Sequence, residues 1–164
     1  YKENNGPFVI RYPRGKGEMA DWRNEMHVLP IGKGKKLRDG DDIAILSLGP
    51  IGNEVIKAIK EIEGDGISIA HYDMIYLKPM DEELLHEVGK KFSRIITVEN
   101  GVIRGGLGSA VLEFMADNGY TPKIKRIGVP DEFVEHGPIS ELYKLCGMDA
   151  KCIAEEIKKM VIGG

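Results

Sequence analysis

The sequence predicts an α/β fold: three layers, α/β/α, around a mostly parallel sheet of about five strands with one antiparallel edge strand. Three observations carry this. Strand-like runs and helix-spaced apolar positions alternate at least three times between residues 43 and 127. The central runs are continuously apolar, as strands covered on both faces must be. Glycine-rich or acidic turns separate each run from the helix that follows it.

Phe8-Val9-Ile10-Arg11-Tyr12 reads as a short strand ended by Pro13, and residues 18–28 read as a linker. Residues 29–38 form an extended piece, closed by a turn at Asp39-Gly40, that supplies the antiparallel edge. Ile43-Ala44-Ile45-Leu46-Ser47-Leu48 is the first buried strand. Val55, Ile56, Ile59 and Ile62 then recur at helical spacing. Ile67 to Tyr72 makes the next strand. Asp81 is placed to cap a helix whose first turn carries Glu82 and Glu83, which suit the positive helix end. Residues 95–98 form the third core strand, and Ala110, Val111, Phe114 and Met115 mark the helix after it. Residues 123–127 alternate in polarity, as expected nearer a sheet edge. Helices over 139–145 and about 149–161 close the chain.

Of the 164 residues, 42% are hydrophobic and 30% charged, enough to build a packed core and too apolar for a disordered chain. A net charge of -3 gives no basic field for nucleic acid or an anionic membrane. No run approaches the roughly 20 apolar residues of a membrane span. The chain opens on Tyr1-Lys2-Glu3 with no signal core, which reads as a piece of a longer cytoplasmic protein. Cys146 and Cys152 read as buried thiols of a reducing compartment.

Two segments could carry chemistry. In Arg11-Tyr12-Pro13-Arg14-Gly15, an extended backbone puts Tyr12 and Arg14 on one face and Arg11 on the other. A guanidinium there offers a planar fork matched to phosphate, although a surface ion pair would also account for it. The second segment runs from Glu99 to Ser109. Its glycines open a helix whose N–H groups could face an anion, or they allow close helix-to-sheet packing. It fails the dinucleotide fingerprint, because Val111 stands where the third glycine would be. Gly32-Lys33-Gly34-Lys35-Lys36 reads as a solvated turn and not a phosphate loop. His71 and His136, with carboxylates at Asp73, Asp131 and Glu135, have no metal-ligand spacing. No cofactor or metal ligand is assigned on the chain.

Several segments in order resemble one family: Arg11-Tyr12-Pro13-Arg14-Gly15, Leu29-Pro30-Ile31-Gly32-Lys33-Gly34, Leu77-Lys78-Pro79-Met80-Asp81, Gly105-Gly106-Leu107-Gly108-Ser109 and Gly128-Val129-Pro130-Asp131-Glu132-Phe133. From about Phe8 onward the chain is similar to the C-terminal portion of the 1-deoxy-D-xylulose-5-phosphate synthases, relatives of transketolase. It departs from their pattern after Glu99, where Asn100 and Gly101 stand in place of a second carboxylate and an Asn.

The resemblance implies a transketolase C-terminal-like domain over residues 29–164, the tail of a pyrimidine-binding domain over 1–17, and a linker between them. It implies an enzyme that condenses pyruvate with glyceraldehyde 3-phosphate, losing carbon dioxide, to supply isoprenoid, thiamine and pyridoxal synthesis. Thiamine diphosphate and magnesium would be the cofactors of the whole enzyme, a homodimer. They would be held by upstream domains, leaving this piece structural, dimer-forming and inactive alone. The resemblance places on Arg14 the Arg that grips the aldehyde's phosphate. Two alternatives remain at this point: the C-terminal domain of a transketolase or of a 2-oxo-acid dehydrogenase beta chain, or an anion-binding module using the Gly105–Ser109 turn.

Overall fold

A computed structural model of the chain describes residues 27–163 together with Gly6, Pro7 and Val9. Apart from Val9, the expected strand over 8–12 lies outside the described residues, as do most of the linker and both Arg11 and Arg14. Among the described residues the chain forms β1 (Lys35–Arg38), β2 (Ile43–Leu48), α1 (Gly52–Glu61), β3 (Ile69–Asp73), α2 (Glu82–Lys91), β4 (Arg94–Val102), α3 (Leu107–Asp117), β5 (Lys123–Val129), α4 (Ile139–Leu145) and α5 (Ala150–Ile162).

The strands form one sheet in the order β1-β3-β2-β4-β5. β3, β2, β4 and β5 run parallel to one another, with Ile45 beside His71 and Ile96 across from both Ile45 and Lys125. β1 runs antiparallel along β3, pairing Lys35 with Asp73. The expected antiparallel edge is therefore present. Its cationic residues Lys35, Lys36 and Arg38 discourage further strand pairing at that edge.

Alternation along the strands divides the core. Ile43, Ile45, Ile69, Ile96 and Val98 face α1 and α5, where they meet Val55, Ile59, Ile153 and Ile157. Ala44, Leu46, Ala70, Tyr72 and Ile95 face α2 and α3, where they meet Leu85, Val88, Leu107 and Val111. Burying each large apolar side chain contributes roughly 1.5–3 kcal/mol. The two-sided burial of β2 explains its unbroken apolar run.

Two boundaries differ from the sequence expectation. β3 begins at Ile69, because Ser68 instead bonds Asp41 and Asp42 across the β1–β2 turn. β4 continues past Val98 to Val102, through an irregularity opposite Gly128. Asn100-Gly101 looks like a strand stop in the sequence, yet the chain resumes pairing with β5 at Val102 and Val129. The thiols also depart from expectation. Cys146 ends α4 and Cys152 lies in the first turn of α5, and both are free but only partly buried. No helix among the described residues is long and apolar enough to cross a membrane.

Candidate functional site

In open α/β sheets, ligands bind beyond the carboxyl ends of strands where the connections change direction. Here the chain leaves β2 toward β3 on one side, and leaves β4 toward β5 on the other. The switch point therefore falls between β2 and β4, where Leu48 pairs with Glu99. Glu99 occupies that position itself and is only 3% exposed.

The Glu99 carboxylate turns back onto the start of α3. It accepts the backbone N–H of Leu107 at 2.8 Å and of Gly108 at 2.9 Å. These are charge-assisted bonds at a positive helix end, the strongest kind of helix cap. The glycines follow from this closeness. A Cβ on Gly106 would lie 1.9 Å from Glu99 Oε2, and one on Gly108 would lie 2.7 Å from both Thr97 Oγ1 and Arg126 Cδ. The glycine-rich turn thus resolves as close packing around an internal carboxylate. The N–H groups of Leu107 and Gly108, which the sequence offers to an anion, are already engaged.

The loop is fixed from outside as well. Ser109 Oγ accepts the N–H of Gly105 at 2.9 Å, and Arg126 Nη1 donates to Ser109 Oγ at 3.1 Å and to the Ile103 carbonyl at 2.9 Å. Ile103 N–H donates to the Val129 carbonyl at 2.8 Å, and Arg104 reaches Asp131 at 3.6 Å. Beneath the loop, Thr97 Oγ1 is buried without a hydrogen-bond partner among the described residues.

Two further polar arrangements flank the same region. Ser47 Oγ and His71 Nε2 lie 2.9 Å apart on the α1 face of the sheet, both essentially inaccessible. Burial pushes the His71 pKa down to about 4, so the ring is neutral at physiological pH. Sequence spacing gave no hint of this pair. Its signal was one polar residue in each of two buried strands. His71 meets Ser47 and not Asp73, whose carboxylate accepts the Ile75 N–H at 3.1 Å.

Asp81 behaves as expected of a helix cap, accepting the Leu84 N–H at 3.2 Å. It also accepts the Gly34 N–H at 3.0 Å, and Lys33 lies 3.5 Å away. Burial alone would raise the Asp81 pKa, but the N–H groups of Gly34 and Leu84 and the Lys33 ammonium outweigh it and leave it lowered. Gly32-Lys33-Gly34 is therefore a turn docked onto α2, where the sequence suggested a solvated one. The N-terminus of α5 is closed in the same way, by Asp149 on Cys152 N–H and by Glu54 on Ala150 N–H.

A metal-bound diphosphate does not fit this edge of the sheet. Glu99 of β4 holds a buried carboxylate against the start of α3 there, which repels it. No three His, Cys, Asp or Glu side chains among the described residues come together to hold a cation.

Comparison with known proteins agrees with this architecture. Residues 32–153 match the family described as transketolase, C-terminal domain. The chain is 78% identical over 159 residues to the 1-deoxy-D-xylulose-5-phosphate synthase of Parabacteroides distasonis, covering 97% of this chain and 25% of that protein. It is 59% identical over 157 residues to the synthase of Bacteroides fragilis, covering 95% of this chain and 24% of that protein. The chain thus spans about a quarter of the length of these relatives. A solved structure described as "Split gene transketolase, inactive beta4 tetramer" superimposes with a TM-score of 0.73 at 32% identity, covering 82% of this chain and 43% of that one. The topology, the filled switch point and these matches agree: the chain belongs to the transketolase C-terminal domain family and resembles the C-terminal part of a 1-deoxy-D-xylulose-5-phosphate synthase.

Proposed function

We propose that this chain is the structural C-terminal domain of a cytoplasmic 1-deoxy-D-xylulose-5-phosphate synthase. On this reading the whole enzyme joins pyruvate to glyceraldehyde 3-phosphate with loss of carbon dioxide, using thiamine diphosphate and magnesium. Other domains of the same protein hold the cofactor. This domain supports them and the homodimer, and alone it turns over no substrate.

The observation that carries the structural role is the Glu99 cap. Thiamine chemistry needs protein to grip and orient the cofactor. At the switch point this chain spends its helix N-terminus on its own carboxylate. The identity to synthases supports the choice of reaction.

Residues 1–17 form, on this reading, the tail of the preceding pyrimidine-binding domain, and residues 18–28 the linker. Arg14 then reaches the phosphate of glyceraldehyde 3-phosphate, because a guanidinium binds a phosphoryl group through two parallel charge-assisted bonds. The test is Arg14→Ala in the full-length enzyme. The expected result is a KM for glyceraldehyde 3-phosphate raised about ten- to a hundredfold, with the KM for pyruvate little changed. An unchanged KM for the aldehyde removes Arg14 from the site.

A further inference from the structure

The chain contains Asn-Gly at residues 5–6, 100–101 and 118–119. Asparagine is thermolabile, and a following glycine has no Cβ to hinder its backbone nitrogen. Asn5 of the first pair lies outside the described residues. The other two share a sequence and exposed side chains but differ in what engages them.

Asn118 is held on every side. It is the C-cap of α3, and its backbone N–H donates to the Phe114 carbonyl at 3.1 Å. Its side-chain Nδ2 donates to the same carbonyl at 2.9 Å. The Gly119 nitrogen, which would be the attacking atom, donates to the Ala116 carbonyl at 3.2 Å. Both the nucleophile and the leaving amide are occupied.

Asn100 and Gly101 sit where β4 and β5 fall out of register. The pairing passes from Val98 and Ile127 directly to Val102 and Val129. In that register neither Asn100 nor Gly101 has a Cα partner on β5. The Asn100 side chain makes no hydrogen bond among the described residues, and the only atom near an added Cβ on Gly101 is Glu99 Oε2, at 3.3 Å.

We propose that Asn100 is a site of spontaneous deamidation, and that the folded structure directs the reaction to it over Asn118. The Gly101 backbone nitrogen attacks the Asn100 side-chain carbonyl carbon and loses its proton. The side-chain nitrogen leaves as ammonia, closing a succinimide ring. Water then opens the ring at either carbonyl, giving an aspartyl or isoaspartyl linkage at position 100. No oxidant or enzyme is required. The product places a new carboxylate next in sequence to Glu99, the residue that caps α3.

The test is ageing of the full 164-residue chain in mildly alkaline buffer, followed by peptide mapping for the amide-to-acid mass gain and for isoaspartate. A parallel sample is unfolded in urea. The folded chain is expected to convert Asn100 at least severalfold faster than Asn118, and the two rates are expected to converge in urea. Gly101→Ala is expected to slow conversion at position 100 alone. The proposal is overturned if Asn118 reacts as fast as Asn100 in the folded chain, or if Asn100 stays intact while the unfolded control reacts.

Discussion

The Glu99 carboxylate receives the backbone N–H of Leu107 at 2.8 Å, so β4 and the start of α3 are joined by a buried carboxylate at the sheet's switch point. Removing it exposes two buried N–H groups with no replacement. Glu99→Ala is expected to destabilise the chain by about 2–4 kcal/mol, read from the urea midpoint at unchanged slope. Glu99→Gln keeps one acceptor and should lose less. A Glu99→Ala chain of unaltered stability would show that the cap contributes nothing.

Gly106 tests the same arrangement from the other side. A methyl group there would lie 1.9 Å from Glu99 Oε2. Gly106→Ala should cost roughly 2–4 kcal/mol, because either the helix start or the carboxylate must move. In the Glu99→Ala background the cost should fall by about 1 kcal/mol or more, since the clashing group is gone. Strict additivity in the double-mutant cycle would contradict the packing described.

The legible part of this fold is the part governed by periodicity. The unbroken run from Ile43 to Leu48 announced a strand covered on both faces, and Asp81 announced a helix start. What stayed hidden depends on contacts between residues distant in sequence. Gly106 and Gly108 read equally well as an anion cradle or as tight packing. Only the fold shows that Glu99, eight residues before Leu107, fills the space. The Ser47–His71 pair required knowing that β2 and β3 are neighbours. The extension of β4 past Asn100-Gly101 was masked because those residues usually mark a turn. Arg14 lies outside the described residues, so its role rests on family resemblance.

His71 makes stability depend on pH. Its folded pKa is near 4, against an ordinary value of 6.5. The unfolded chain therefore binds a proton that the folded chain refuses between those values. The stabilisation is complete above about pH 6.5 and is lost as pH falls toward 4. For this buried ring the loss is on the order of 3 kcal/mol. Urea midpoints should fall from pH 7 to pH 5 in the wild type and fall less in His71→Leu. Equal slopes for the two chains would show that the ring titrates normally.

On the function proposed above, this domain supports catalysis performed elsewhere. That role is tested most directly by supplying the purified chain with pyruvate, glyceraldehyde 3-phosphate, thiamine diphosphate and magnesium, and measuring carbon dioxide release. The expected result is release no faster than from the mixture without protein. Sustained release in proportion to the chain's concentration would contradict it.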